Sequence, residues 1–296
     1  MEVAISGSHG LIGTALIAAL AERGDTVRRI VRSNAGPGEI AWDIEAQTID
    51  ATALEGIDAV VHLAGESIGE KRWSDAQKRR ILESRTKGTT LLARALGQLD
   101  RKPAVLVSAS GVGYYGDRGE EVLTEESPPG EGFTAEVCRQ WEASTQPAAD
   151  AGIRVAMARS GVVLSKEGGA FTRLLTPFRL GVGGRMGSGR QWMSWITIHD
   201  EVGALLHLID TDIAGPVNLT APSPVRNAEL SKTLGRVLRR PALVPIPKLG
   251  PSLIFGRELV EELLFWSQRV MPARLEASGY RFREPDLEHA LRSVLA

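Results

Sequence analysis

The 296-residue sequence has a single cysteine, Cys138, and only three tyrosines. One cysteine excludes an internal disulfide and fits a reducing compartment. A dominant sign of charge is also missing, since 35 Lys and Arg stand against 36 Asp and Glu for a net charge of −1. That balance makes no electrostatic case for nucleic acid or an anionic membrane as a partner. The longest apolar stretches are broken by glycine or charge, so no membrane span is expected. No basic flank and cleavage site precede the strand-like run from Val3 to Ser6, so no secretory leader is expected either. His62, His207 and His289 are scattered, and with one cysteine they form no metal-ligand spacing. These absences point to a cytoplasmic protein without a metal, and they choose no function.

What is present is an alternation of short β-branched runs and helical patterns. Val3-Ala4-Ile5 ends at Gly7, and Leu11, Ala15, Ile17 and Leu20 then recur with helical spacing up to Gly24. Thr26–Val31, Ile40–Asp43, Ala59–Leu63, Val105–Ser108, Arg154–Ala158 and Pro216–Leu219 read as strands. Helices are expected at about Ser74–Leu99 and at Phe133–Ala149. The texture changes near Ala221: five prolines fall from Pro222 to Pro247, and helical patterns follow at Asn227–Leu238, Pro251–Phe265 and Asp286–Leu295. The expected fold is α/β. It is a Rossmann-type doubly wound parallel sheet over residues 1–165, completed by about 196–220, with 166–195 and 221–296 as a smaller, mainly helical lobe.

The strongest local signal is Gly7-Ser8-His9-Gly10-Leu11-Ile12-Gly13, set between a strand and a helix. Gly7 permits a tight turn, Gly10 lets backbone approach a pyrophosphate, and Gly13 lets helix pack on strand. The helix start then offers free N–H groups and a positive dipole end to phosphates. The end of the second strand selects the dinucleotide. An acid there would bind a ribose 2′-hydroxyl, but the sequence is Arg28-Arg29-Ile30-Val31-Arg32-Ser33. Arg32 with Ser33 suits a 2′-phosphate, so NADP(H) is the expected cofactor. At least one of Arg28 and Arg29 is a solvated surface charge on this reading.

Several segments together resemble the extended short-chain dehydrogenases/reductases, in an atypical epimerase-like branch also described as sugar nucleotide epimerase-related. They are His62-Leu63-Ala64-Gly65-Glu66, Arg72-Trp73, Ser84-Arg85-Thr86, Trp141-Glu142, Arg159-Ser160-Gly161-Val162-Val163-Leu164 and Pro177-Phe178-Arg179-Leu180-Gly181. The tail, with Asn218-Leu219-Thr220-Ala221-Pro222, Arg240-Pro241, Gln268-Arg269-Val270 and Gly279-Tyr280, is similar to that branch's C-terminal domain. The resemblance implies that Leu63, Ala64 and Gly65 run beside the adenosine and ribose. It implies that Arg85 reaches the cofactor from the long helix, and that Leu164 lies near the nicotinamide end. The alternative for Arg85 is pairing with Glu83.

Family members use a Ser or Thr after the fifth strand and Tyr-x-x-x-Lys on the next helix as acid/base and ribose holder. Ser110 aligns best with the hydroxyl, Ser108 second. The Tyr-x-x-x-Lys positions hold Thr134 and Cys138. Thr is a far weaker acid than Tyr, and Cys carries no permanent positive charge. Cys138 reads as a small residue beside the cofactor, not a nucleophile. Tyr114 or Tyr115, on a glycine-rich turn, either donates a proton or forms an apolar lid, and Tyr280 packs. Arg72, Trp73, Arg190, Trp192 and Trp195 mark the substrate side, with packing preferred for Trp195, and Asp200 is expected as a helix N-cap. Two functions stay open. One is an NADP(H)-dependent oxidoreductase or epimerase acting on a small substrate, nucleotide-linked or free; the other is a non-catalytic NADP(H) sensor. Monomer and homodimer are both compatible with the sequence.

Overall fold

The structure is a computed structural model that describes residues 1–32 and 35–296. Glu2–Ser6 (β1) leads through a glycine turn into Leu11–Glu22 (α1), which stops where Gly24 takes a φ of +84°. Thr26–Val31 (β2), Ile40–Asp43 (β3), Thr48–Ile49 (β4) and Ala59–His62 (β5) follow. The long helix Asp75–Gln98 (α2) is capped by Ser74, whose hydroxyl accepts from the Gln77 N–H at 3.2 Å. Val105–Gly111 (β6), the two-residue strand Val122–Leu123 (β7), Phe133–Ala143 (α3), Gln146–Asp150 (α4) and Arg154–Ser160 (β8) come next.

The main sheet has eight strands. Val162–Leu164 (β9), Gly169–Arg179 (α5), Trp192–Met193 (β10), Trp195–Thr197 (β11) and Ile198–Asp210 (α6) precede its last strand, Gly215–Leu219 (β12). Its order is β12-β8-β6-β5-β1-β2-β3-β4, parallel except for β3 with β4. The order reverses between β1 and β5, and such a switch point opens a crevice at the carboxyl ends of the strands.

Period-two alternation makes the sheet face both ways. Val3, Ile5, Val61 and Val107 pack against Leu16 and Leu20 of α1 and Leu205 and Leu208 of α6. Ala4, Val60 and Leu106 pack on the other face against Leu92 and Leu96 of α2. Each fully buried leucine contributes about 1.5–3 kcal/mol. After β12 come Val225–Arg226 (β13), Asn227–Leu238 (α7), Leu249–Phe255 (α8), Arg257–Val260 (α9), a π-helical turn at Glu261–Phe265, Arg269–Val270 (β14), Ala273–Ala277 (α10) and Leu287–Leu295 (α11). A separate cluster joins Phe171, Leu175 and Phe178 of α5 to Leu230 and Leu234 of α7 and Leu291 of α11.

Four expectations need correction. The helix expected over Phe133–Ala149 breaks after Ala143, just before Pro147, which has no N–H to continue the ladder. The helix expected over Pro251–Phe265 breaks at Gly256, where φ is +91°. The stretch read as loop-rich, Gly168–Trp195, contains α5, whose buried Phe171, Leu175 and Phe178 recur at helical spacing. Thr197, not Asp200, caps α6, accepting from the Asp200 N–H at 3.1 Å. The Asp200 carboxylate is buried inside the first turn, where it accepts from the N–H groups of Arg283 and Glu284 at 2.8 and 3.0 Å.

Candidate functional site

The loop after β1 is shaped by close backbone contacts. Gly7 has φ of +72°, and its carbonyl accepts from the Gly10 N–H at 3.0 Å. A methyl group at Gly13 would lie 2.3 Å from the Gly7 carbonyl oxygen, and one at Gly7 would lie 2.7 Å from the Leu63 carbonyl carbon. Both positions therefore exclude any side chain. At Gly10 a methyl group would meet only the Gly7 oxygen, at 3.3 Å, which leaves the room a phosphate needs. Gly10 is the N-cap of α1 and no side chain caps this helix, so its first amides stay available to an anion. Ser8 is buried, with its carbonyl accepting from the Thr14 hydroxyl at 3.4 Å, while His9 is exposed.

Around the loop stand the other expected cofactor residues. Leu63 and Ala64 are half-buried and Gly65 is exposed. Arg32 is exposed just past Val31, the last residue of β2; Ser33 lies outside the described residues. Arg28 is not a free surface charge, because it donates to the Ala53 carbonyl at 2.8 Å and the Gly38 carbonyl at 3.3 Å. Arg85 folds over Gly65. Its guanidinium would lie 3.1–3.3 Å from a methyl group there, donates to the Glu66 carbonyl at 2.8 Å, and packs 4.8 Å from the Trp141 ring. Pairing of Arg85 with Glu83 is overturned, because Glu83 bonds Lys87 at 2.8 Å. Burial lowers the Arg85 pKa. Beside it, burial and then Arg85 hold His62 down to about 4, so the ring is neutral, with Nδ1 2.6 Å from the Ser6 hydroxyl. The glycine loop and the free amides of α1 fit a dinucleotide, and Arg32 stands exposed at the end of β2.

The other end of the crevice is built from side chains. β6 runs to Gly111, so Ser110 belongs to the strand, in register with Arg159 of β8. The Ser110 hydroxyl donates to Glu142 of α3 at 2.6 Å. Arg159 grips both oxygens of the same carboxylate at 2.7 Å and also donates to the Tyr115 hydroxyl at 2.9 Å, which donates to Asn218 at 2.7 Å. Burial works against the Arg159 charge, but Glu142 and Tyr115 outweigh it and raise its pKa. Burial pushes the Tyr115 phenol up to about 12. Tyr114 is half-buried with the Arg159 guanidinium 3.4 Å from its ring centroid. Ser108 is buried, and its one hydrogen bond, to the Ala109 carbonyl at 3.4 Å, is weak.

At the two positions that replace Tyr and Lys, neither side chain carries a charge at neutral pH. Burial, then Glu142, pushes the Cys138 thiol up to about 11, so it is a neutral group lying against Gly111 and Gly113. The Thr134 hydroxyl and N–H donate to Glu262 at 2.9 and 2.8 Å, and the Phe133 N–H donates to the same carboxylate at 2.9 Å. A glutamate from the π-helical turn thus caps α3 across the molecule. Glu142 and Arg159 lie in segments that carry the family resemblance, which implies no role for either; a charged residue ending an apolar strand is the signal that marks Arg159. Glu262 has no local signal at all, because its partners lie 128 and 129 residues away.

Of the remaining expected residues, Arg72 and Arg190 are exposed and the others pack. Leu164 is fully buried in the cluster with Phe171 and Trp195. Trp195 donates to the Ser223 carbonyl at 2.9 Å from inside that cluster. Trp73 packs edge-on to Phe133 at 4.8 Å, next to Leu259 and Val260. Trp192 is held between Arg226 and Arg269 at 4.6 and 4.4 Å. The Tyr280 hydroxyl donates to Asp200. Among the described residues no group of His, Cys, Asp and Glu side chains is arranged to hold a metal.

Comparison with known proteins agrees with this geometry. The model of the NAD dependent epimerase/dehydratase family matches residues 3–219, and that of a domain of unknown function, DUF1731, matches residues 246–294. An epimerase family protein of Mycobacterium tuberculosis is 44% identical over 291 residues, 98% of this chain and 96% of its own. The epimerase family protein SDR39U1 of Homo sapiens is 39% identical over 300 residues, all of both chains. The crystal structure of human SDR39U1 (isoform 2) with NADPH superposes with a TM-score of 0.91 at 37% identity, over 99% of each chain. A nucleoside-diphosphate sugar epimerase from Corynebacterium glutamicum gives 0.83 at 40% identity, over 100% of this chain and 58% of that one. A Rossmann-like parallel sheet, a cradle that only glycine fits and a matching helical tail make the chain a member of the NAD dependent epimerase/dehydratase family, in the atypical extended short-chain dehydrogenase/reductase branch that carries the DUF1731 domain.

Proposed function

We propose that this chain binds NADP(H) across the β1–β5 crevice and acts as an oxidoreductase or epimerase on a small alcohol or carbonyl, nucleotide-linked or free. The cradle of Gly7, Ser8, His9, Gly10, Leu11, Ile12 and Gly13 holds the pyrophosphate, and Arg32, with Ser33, takes the 2′-phosphate. Leu63, Ala64, Gly65 and Arg85 lie along the adenosine and ribose, with Cys138, Ser108 and Leu164 toward the nicotinamide end. The nicotinamide, once bound, supplies or accepts a hydride.

The observation that carries the reading is the Ser110–Glu142 hydrogen bond of 2.6 Å at the carboxyl end of β6. With its proton committed to Glu142, Ser110 presents lone pairs and so accepts from a substrate alcohol more readily than it donates to a carbonyl. Arg159 holds Glu142 in place and packs on the Tyr114 ring. Tyr114 then exchanges the substrate proton, since Thr134 is tied to Glu262 and Cys138 is neutral. General acid/base help of this kind is worth about 10²–10⁴-fold. In a screen of NADPH with carbonyls and of NADP with alcohols, Ser110→Ala and Tyr114→Phe are each expected to cut kcat by a factor in that range with little change in NADPH affinity. Full turnover in both variants would remove these two roles. Arg32→Ala is expected to weaken NADPH far more than NADH, and equal weakening would contradict its assignment.

A second reading, a non-catalytic NADP(H) sensor, is favoured by the Thr134–Glu262 contact, which makes the family's acid/base position an attachment point for the C-terminal region. Tight NADPH binding without consumption across both panels would select it.

A further inference from the structure

Two segments of this chain contain no aspartate or glutamate. They are residues 168–199, with four arginines, and 239–257, with three arginines and one lysine. In a protein with 36 acidic residues such gaps are uneven, and the fold brings the two together. The Gly187 N–H donates to the Ile246 carbonyl and the Ile246 N–H to the Arg185 carbonyl, both at 2.9 Å. Charge therefore accumulates on one face although the whole-chain net charge is −1.

The same segments carry the exposed apolar side chains. Leu180 and Val182 are 73% and 55% exposed, and Leu243 and Val244 are 84% and 51% exposed. Leu249, Leu253 and Ile254 of α8 are each at least 70% exposed, and α8 has no buried residue. Seven of the nine exposed large apolar side chains among the described residues thus lie on these two segments. Single exposed leucines need no explanation, but a cluster of them does.

The charges flank this apolar set. Lys248 pairs with Glu261, Arg236 with Glu288 and Arg173 with Glu70. Arg179, Arg185, Arg239 and Arg240 have no carboxylate partner among the described residues. Beside Leu243, a groove of about 290 Å³ is lined by Lys232, Arg236, Arg239 and Arg240 with Ala242. Unpaired guanidinium groups beside exposed apolar side chains suit a layer that is anionic outside and apolar below. A second copy of the chain would bring the same positive charges to the contact.

We infer that this face docks on the surface of an anionic phospholipid bilayer. Leu249, Leu253 and Ile254 enter the boundary between headgroups and acyl chains. The arginines bond the lipid phosphates, and the groove of Arg239 and Arg240 receives a headgroup. The protein lies on the bilayer and does not cross it; among the described residues no helix is long and apolar enough to span one. The whole-chain charge, which argues against such a partner, averages this face with acidic surface elsewhere.

The test is co-sedimentation of the full chain with phosphatidylcholine vesicles and with vesicles of phosphatidylcholine and phosphatidylglycerol. Retention is expected on the anionic vesicles only, falling as salt rises. Arg239→Gln with Arg240→Gln, and separately Leu253→Asp with Ile254→Asp, should each lower partitioning on the order of tenfold or more. Both pairs are far from the glycine loop, so unchanged NADPH affinity and Tm show that each variant is folded. Equal retention on neutral vesicles, no retention on either, or unchanged retention in both pairs overturns the inference. So does light scattering that shows a dimer which the Leu253→Asp pair dissolves, because the face would then be a self-contact.

Discussion

At the α1 end of the crevice the decisive contacts are between backbones. Gly13 approaches Gly7, and Gly7 approaches Leu63, closely enough that any side chain at either glycine would overlap. At the α3 end they are between side chains far apart in the chain, with Ser110, Glu142 and Arg159 in one group and Thr134 and Glu262 in another. The first arrangement serves any dinucleotide and depends on a few consecutive residues. The second has absorbed the hydroxyl at the family's tyrosine position into a contact with the C-terminal region. On the proposed function, binding rests on the first end and chemistry on the second, so the two should respond to different substitutions.

The sharpest break of that comparison is Gly13→Ala. The added carbon would sit 2.3 Å from the Gly7 oxygen, so the loop must open or α1 must shift. NADPH affinity is expected to fall by at least about 100-fold, equivalent to about 2.7 kcal/mol. Fluorescence titration measures it, with a thermal melt as the check on folding. Affinity within threefold of the parent would mean that the cradle is not the binding determinant.

This difference also explains what could be read from the sequence. A glycine whose neighbour is another backbone leaves its mark within seven residues, and period-two apolar runs such as Val3-Ala4-Ile5 announce their strand directly. The ends of helices were less legible. Gly256 breaks one expected helix because of a positive φ that its neighbours do not reveal, and α5 was hidden by glycines around a sound apolar period. Glu142 is visible as a charge on an amphipathic helix, but its bond to Ser110 exists only once β6 and α3 are packed. Glu262 could not be found, because nothing near it in sequence refers to Thr134.

Next in size is the buried ion pair. Glu142 and Arg159 have side chains only 10% and 3% exposed. Glu142→Ala would leave the Arg159 charge uncompensated and is expected to cost about 3–5 kcal/mol in urea unfolding. NADPH binding by the folded fraction should change little, in contrast to Gly13→Ala. A loss under about 1 kcal/mol would show that Arg159 finds another anion.

A third measurement compares two buried titratable groups, His62 near the cradle and Glu201 of α6. Burial raises the Glu201 carboxyl from 4.5 to about 7, opposed by the Ser160 hydroxyl, which donates at 2.6 Å. Between those values the unfolded chain is ionised and the folded one protonated, so this group's contribution to stability falls as pH rises through that window. His62, lowered from 6.5 to about 4, does the reverse, and its contribution is lost as pH falls from 6.5 toward 4. The two slopes oppose each other between about 4.5 and 6.5. Glu201→Gln should therefore steepen the loss of stability toward acid. It should also raise stability at pH 8 relative to pH 5, on the order of 3 kcal/mol at most. Denaturant melts across that range check it, and an unchanged pH profile would mean that Glu201 is ionised in the folded protein.

The smallest effect addresses the α3 end directly. Thr134→Val keeps the shape and removes one of three donors to Glu262, leaving the N–H groups of Phe133 and Thr134 in place. A hydrogen bond to a charged group contributes about 1.5–3 kcal/mol, and with two donors retained the loss should sit at the lower end. Thr134→Ser should restore it. If the contact is only an attachment, amide exchange at the start of α3 and across Glu261–Phe265 should quicken together in the valine variant, with NADPH affinity unchanged. If turnover falls in the valine variant while stability and exchange stay at the parent values, the Thr134 hydroxyl takes part in the chemistry and the separation of binding from catalysis is drawn in the wrong place.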